Sequence, residues 1–154
     1  MYVPYSELAA NSRVWIYQSD RPFTTSELPQ IDKKLISFCE NWSAHNIPLK
    51  SSYQLHRWFI CLFVEEQVQA ASGCSIDTSV QFIKILSKNL NIDFFNRMNI
   101  AFLENESVQV KSLSLLKPQL NEEMIVFNNL VGTKSEYESQ WQIPLKESWL
   151  ARYL

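Results

Sequence analysis

The chain has 154 residues, enough for one domain that buries about 70% of the surface its unfolded form exposes. Apolar residues make up 46% of the sequence and charged residues 19%, a composition that excludes a disordered chain. Glycine occurs only at Gly73 and Gly132, so a phosphate-binding P-loop and a GxGxxG dinucleotide motif are both absent. The formal net charge of −2 leaves no excess of cations for phosphates, so we expect no nucleic acid partner.

Cysteine and histidine usage indicates the compartment and the chemistry of the chain. The three cysteines, Cys39, Cys61 and Cys74, form an odd set without CxxC spacing, which favours a reducing cytoplasm. The two histidines are not at zinc-ligand spacing from each other or from a cysteine pair, so we expect no metal and no cofactor. The longest apolar run, Trp58–Val64, is far shorter than the ~20 residues of a membrane span.

The first half of the chain predicts two strands around a helix. Residues Arg13–Gln18 are rich in β-branched and aromatic side chains and predict the first strand. Apolar residues then recur every three or four positions from Leu28 to Trp42, which is typical of an amphipathic helix. The segment Ser52–Glu66 predicts a long strand, and its run Trp58–Val64 is apolar on both faces, which indicates a central position in a sheet.

The second half predicts another helix and a hairpin. An apolar stripe indicates a helix within Ser72–Leu90, with Ser75 or Asp77 as its N-cap. Phe94–Leu103 and Ser107–Val110 predict antiparallel strands joined by a short turn. Four shorter elements follow: a helix at Leu113–Leu120 interrupted by Pro118, a strand at Met124–Phe127, a helical turn opened by the capping box Thr133–Glu136, and a helical tail at Trp149–Leu154.

The order of these elements predicts an α/β fold, with α+β as the alternative. We expect a single domain of residues 1–154, in which a mixed sheet of about five strands carries the two main amphipathic helices. No internal repeat or low-complexity stretch divides the chain.

Three parts of the sequence carry a resemblance to a known family: Ser72–Ser79, Phe95–Asn99, and Val126–Val131 followed by Ile143–Trp149. They resemble bacterial proteins of about this length that are commonly labelled "ABC transporter ATPase", and the resemblance runs nearly end to end. That label implies ATP hydrolysis, which needs a phosphate loop with its lysine and a Mg²⁺-binding carboxylate. The sequence contains neither motif, so we do not expect it to hydrolyse ATP as a P-loop enzyme.

The start of the second helix is the first candidate site. A helix N-terminus leaves backbone N–H groups unpaired and carries partial positive charge, so it can hold an anion. The same position favours a thiolate, which makes Cys74 the one candidate for a nucleophilic or redox thiol. The alternative is that the serines and the aspartate only cap the helix. The candidate residues are Ser72, Gly73, Cys74, Ser75 and Asp77.

The second candidate site lies where the strands of the second half begin and end. Arg97 and Asn99 flank Met98, and Asn128 and Asn129 follow the predicted strand Met124–Phe127. Ligands in open α/β sheets collect near strand ends, and amide side chains orient polar ligands there. The alternative is structural: the arginine pairs with Asp93 or Asp77, and the asparagines close turns.

Two functions from different classes remain open. The first is binding of a small anionic or polar ligand, with or without turnover, in a cleft where the start of the second helix meets Arg97, Asn99 and the Asn128-Asn129 pair. Neither histidine is tied by its sequence context to Cys74, so no catalytic set is recognisable. The second is a non-catalytic protein–protein interaction module or homodimer, with aromatic anchors among Trp141, Trp149 and Tyr153.

Overall fold

Strands and helices alternate along the chain in the structure, a computed structural model that describes residues 1–154. The strands are β1 (Arg13–Gln18), β2 (Ser43–Ala44), β3 (Ile47–Pro48), β4 (Lys50–Leu55), β5 (Phe59–Glu65), β6 (Asn99–Glu104), β7 (Ser107–Ser112), β8 (Ile125–Phe127) and β9 (Gln142–Pro144). The α-helices are α1 (Glu27–Asn41), α2 (Gly73–Leu90), α3 (Leu113–Leu116) and α4 (Lys134–Gln140). Short 3₁₀ turns occupy Tyr5–Glu7, Lys117–Gln119, Leu145–Glu147 and Trp149–Tyr153.

The strands form two sheets and a small ribbon. The first sheet has the order β1-β5-β4, the second has the order β7-β6-β8-β9, and β2 pairs with β3. The predicted α/β chain with two main amphipathic helices is confirmed. Its strands are divided among three sheets rather than one mixed sheet, and every ladder between them is antiparallel, which is the pattern of the α+β alternative.

The first sheet is packed on both faces, and its central strand β5 is buried at every residue. Ile60, Leu62 and Val64 of β5 face the helices and pack in one core cluster with residues of α1 and α2. The alternate residues of β5 face the second sheet and pack with Ala101 and Phe127. This two-sided burial confirms the central position that the apolar run indicates.

The outer face of the second sheet has its own cover. A third cluster joins residues of β6 and β8 to the short helix α3 and to the C-terminal 3₁₀ turns. The chain therefore stacks a pair of helices, a sheet, a second sheet and a layer of short turns. No helix in the chain is both long enough and apolar enough to cross a membrane.

The predicted single strand Ser52–Glu66 is wrong, because the chain turns back within it. β4 and β5 form an antiparallel hairpin, and His56 and Phe59 exchange backbone hydrogen bonds of 2.9 and 3.4 Å at its turn. The turn contains no glycine, proline, asparagine or aspartate, so it carries none of the residues that mark a turn in sequence.

The second helix begins slightly earlier than its predicted cap. Ser72 is the N-cap: its hydroxyl accepts a hydrogen bond from Ser75 N at 3.1 Å, and the Ser75 hydroxyl accepts one from Ser72 N at 2.7 Å. Ser75 is thus the third helical residue of a capping box and not the cap. The other predicted helix start is confirmed, because Thr133 caps α4 and accepts from Glu136 N at 3.2 Å.

The predicted strand Phe94–Leu103 is a strand only in its second part. The hairpin between β6 and β7 is confirmed as antiparallel. Its turn lies at Asn105 and Glu106, which have left-handed φ values of 52° and 66°. Residues 93–98 form a loop instead, in which Asp93 and Asn96 accept hydrogen bonds from the backbone N–H groups two residues on, at 2.8 and 3.0 Å. Such local turns compete with a strand ladder.

Candidate functional site

A cleft of about 560 Å³ opens between the end of β1, the loop at residues 93–98 and the loop that follows β8. It brings together four of the predicted site residues. They are Arg97, Asn99, Asn128 and Asn129.

The start of α2 does not belong to this cleft, so the predicted convergence of the two candidate sites is wrong. The helix has 18 residues and is therefore about 27 Å long, and the cleft-lining loop that includes Phe94 follows its C-terminal end. The prediction assumed that strand ends and helix starts meet at one edge, as they do in parallel sheets. These sheets are antiparallel. The residues left outside the cleft are Ser72, Gly73, Cys74, Ser75 and Asp77.

The start of α2 is occupied by its own cap. Both serine hydroxyls take part in the capping box, and the Ser75 hydroxyl also donates to Ser72 O at 2.8 Å. Trp42 Nε1 donates to Ser75 O at 2.8 Å, which fixes this helix end to the chain after α1. The capping alternative therefore accounts for both serines.

The thiols offer no assembled nucleophile. Cys39 and Cys61 are buried, and burial raises the pKa of the Cys39 thiol to about 12 and that of the Cys61 thiol as well. Cys74 is exposed, and neither histidine is hydrogen-bonded to it. No base is therefore in place to activate it.

Hydrogen bonds centred on Gln18 form the floor of the cleft, although Gln18 is not among the predicted site residues. Gln18 Nε2 donates to Asn99 O at 3.0 Å, and Asn129 Nδ2 donates to Gln18 Oε1 at 2.9 Å. Trp141 Nε1 then donates to Asn129 Oδ1 at 2.9 Å. The signal in the sequence was a polar residue at the end of an otherwise apolar strand. Both the Nδ2 and the Oδ1 of Asn129 are hydrogen-bonded within the chain, so we assign Asn129 a structural role in the cleft and not a contact with a ligand.

Other polar side chains of the cleft retain free hydrogen-bonding groups. Asn128 Oδ1 accepts from Leu130 N at 3.2 Å and closes its own turn, as the structural alternative predicts, but its Nδ2 has no partner within the chain. The side chain of Asn99 makes no hydrogen bond within the chain, although its backbone oxygen accepts from Gln18. Amide groups of this kind can donate to a ligand.

Arg97 is exposed and makes no ion pair, so the structural alternative in which it pairs with Asp93 or Asp77 is wrong. The carboxylate of Asp93 instead accepts from the N–H of Phe95. Arg97 is also the one charged residue among those lining the cleft, and no carboxylate lines it. The cleft therefore presents a cation that nothing in the chain neutralises.

The rim of the cleft is apolar and exposed. Phe95 is 42% exposed, Met98 54% and Leu130 82%, although side chains of this size are usually buried. Trp149, from the C-terminal turn, is 42% exposed and lines the same cleft. Exposed apolar groups collected at one place mark a binding surface more than singly scattered ones do.

An aromatic cluster supports the cleft from below. His56 Nε2 lies 2.6 Å from the Tyr137 hydroxyl, and burial lowers the pKa of His56 and raises that of Tyr137. Trp141 is only 7% exposed and packs edge-on against Phe127, with ring centroids 5.0 Å apart. The prediction that Trp141 serves as an interface anchor is therefore wrong, because it belongs to the core.

Comparisons with family models, curated proteins and solved structures give no match. The resemblance to the proteins labelled "ABC transporter ATPase" therefore stays a prediction. The structure contains no group of three or more His, Cys, Asp or Glu side chains placed to hold a metal ion.

Proposed function

We propose that the cleft binds an organic anion that carries an apolar group. The observation that carries this proposal is Arg97, an exposed guanidinium without an ion-pair partner in a cleft that no carboxylate lines. A guanidinium presents five donors in a planar fork that matches the two oxygens of a carboxylate or the oxygens of a phosphate. The proposed site is therefore the cleft around Arg97 and does not include the start of α2, which the sequence predicts as part of the site.

Each wall of the cleft has a separate role in this proposal. Arg97 binds the anionic group, and the free amides of Asn99 and Asn128 donate further hydrogen bonds. Phe95 and Trp149 pack against the apolar part of the ligand, where removal of apolar surface from water supplies affinity. The hydrogen bonds centred on Gln18 hold these groups in place before the ligand arrives.

The composition of the lining favours binding over turnover. The lining includes no serine, threonine, cysteine, histidine, aspartate, glutamate or lysine. Apart from Arg97, its one ionisable side chain is Tyr17, whose pKa is raised by burial. The raised pKa keeps the Tyr17 hydroxyl protonated at neutral pH, so the lining supplies neither a general base nor an activated nucleophile. We place this activity in the cytoplasm, since all three cysteines are free thiols.

A protein partner is the second candidate, and the exposed rim favours it. Leu130 is 82% exposed and lines the same cleft as Trp149, one of the predicted aromatic anchors. An apolar rim around a polar cleft is common to ligand pockets and to peptide-binding grooves.

A fluorescence titration with anilinonaphthalene sulfonate, an aromatic anion, tests the proposal. We expect saturable binding that naphthoate displaces and its neutral amide does not. Arg97→Gln should raise the dissociation constant about tenfold, which is the usual effect of losing one charge-assisted hydrogen bond. Arg57→Gln is the matched control, because Arg57 is exposed and its side chain makes no ion pair. Equal affinity of the wild-type protein and Arg97→Gln would contradict the proposal.

A further inference from the structure

Strand β1 has an edge that is open where it borders the cleft. It is an outer strand of its sheet, because the order is β1-β5-β4. Ser19 N donates to Trp58 O at 2.7 Å, whereas Val14 N donates away from β5, to Gly132 O at 3.1 Å. Backbone groups in an antiparallel ladder alternate between the two sides of a strand. The N–H and C=O of Ile16 and the N–H of Gln18 therefore point away from β5.

The chain segment that pairs with this edge of β1 extends only as far as Val14. Residues 132–134 run antiparallel to β1 there, with a bridge between Arg13 and Thr133. The preceding residues leave the edge, because Val131 is buried in the core between the sheets. No other strand pairs with β1 on this side. Ile16 and Gln18 line the cleft, and their backbone N–H groups on this side have no hydrogen-bond partner in the chain.

The open stretch is short and bounded at both ends. Gly132 occupies the edge at Val14, and the loop at residues 93–98 crosses the other end, where Asp93 N donates to Asp20 Oδ1 at 3.1 Å. The three residues Ile16–Gln18 span about 10 Å, so they can pair with only a few residues of another chain. A groove bounded in this way suits the end of a chain better than a strand that continues in both directions.

Charge defines which chain end fits. Unpaired backbone groups beside an apolar groove are what an added peptide strand uses for affinity, with side-chain pockets for specificity. Arg97 is the one charged residue of the cleft, so it complements a carboxylate and disfavours an amino terminus. The exposed rings of Phe95 and Trp149 offer apolar surface to the last side chain of such a peptide.

We propose that the cleft binds the C-terminal segment of a protein partner, in extended conformation, along the open edge of β1. Its backbone pairs with Ile16 and Gln18, and its terminal carboxylate binds Arg97. This inference rests on the proposed function, since it names the class of anion that the cleft receives.

An array of immobilised hexapeptides with free carboxyl ends, paired with the same sequences as C-terminal amides, tests the inference on the full chain. Apolar-terminated carboxylate peptides should bind at least about tenfold more tightly than their amides. Arg97→Gln should remove this preference, and Arg57→Gln should keep it. Equal binding of acids and amides would overturn the proposal.

Hydrogen exchange, with the best-bound peptide of the array, tests the pairing separately. The amides of Ile16 and Gln18 should exchange fast in the free protein and slowly in the complex, while that of Val14, already bonded to Gly132, serves as the reference. Binding without this protection would overturn the strand pairing. If no peptide binds while anilinonaphthalene sulfonate binds in an Arg97-dependent way, the peptide proposal fails and the anion site stands. If neither binds, both fail.

Discussion

Asn129 donates a hydrogen bond of 2.9 Å from Nδ2 to Oε1 of Gln18, across 111 positions of the chain. The bond joins the two sheets, because Gln18 ends β1 in the first sheet and Asn129 follows β8 in the second. Gln18 continues the connection to Asn99 O, and Asn129 continues it to Trp141. The cleft therefore lies over a fixed seam between the sheets, and its shape depends on these amides.

Removing the centre of this seam should destabilise the fold. Gln18→Leu leaves the Asn129 amide and the Asn99 carbonyl without their partner, at a cost of about 1–3 kcal/mol in the free energy of unfolding. Urea denaturation measures the loss. Gln54→Leu on β4 is the control, since the Gln54 side chain makes no hydrogen bond within the chain, and its effect should be smaller. A loss no larger than that of the control would show that the seam contributes little.

Arg97 should matter for binding and not for stability. Because its side chain has no ion pair, Arg97→Gln should change the free energy of unfolding by less than about 0.5 kcal/mol. Chemical denaturation beside the dye titration separates the two effects. A clear loss of stability would assign Arg97 to the structure instead of the ligand.

The ion pair between Arg21 and Glu27 should appear as a pH-dependent contribution to stability. The Nη1 and Nη2 atoms of Arg21 each donate to one carboxylate oxygen of Glu27 at 2.9 Å. Nη2 also donates to Leu90 O at 2.7 Å, so the ion pair connects the start of α1 to the end of α2. The hydrogen bond from Arg21 lowers the pKa of Glu27 from 4.5 to about 2. The wild-type protein should therefore be more stable than Glu27→Gln at neutral pH, by about 1 kcal/mol.

This difference in stability should be complete above pH 4.5 and disappear as the pH falls through about 2, because the Glu27 carboxylate of the folded state is then protonated. Urea titrations at several pH values measure it. Glu123→Gln is the control: its partner Lys146 is exposed and the Glu123 side chain is 73% exposed, so the change should be small at every pH. A pH-independent difference for Glu27→Gln would contradict the assignment.

His56 should make the fold sensitive to mild acid. Burial lowers its pKa below 6.5, so the unfolded chain binds a proton more readily than the folded one. Stability should then be complete above this value and fall as the pH drops through 6.5, where the unfolded chain takes up its proton first. Melting temperatures of the wild-type protein and His56→Gln measure the effect, and the variant should show a flatter profile. His45→Asn, at an exposed loop position, should keep the wild-type profile.

The elements that the sequence predicts well are those whose signal is local and periodic. The apolar stripes of α1 and α2, the two-sided apolar run of β5 and the capping box at Thr133 each depend on neighbours a few residues away. The turn at His56 was missed because none of its residues favours a turn.

The site was harder to predict because its geometry depends on contacts between distant residues. Arg97, Asn99 and the two asparagines after β8 were identified from strand ends and do share one cleft. Gln18 was missed, since only the packing of one sheet on the other gives it partners. The start of α2 does not reach the cleft, because the 18 residues of the helix place its first residue far from the loop that follows its last one.

The most direct test of the anion-binding cleft is a nuclear magnetic resonance titration of the isotope-labelled chain with anilinonaphthalene sulfonate. We expect the largest shifts on the side-chain amides of Gln18, Asn99 and Asn128 and on backbone amides of residues 93–98. Shifts centred on residues 72–77 at the start of α2, with the cleft resonances unmoved, would contradict this expectation.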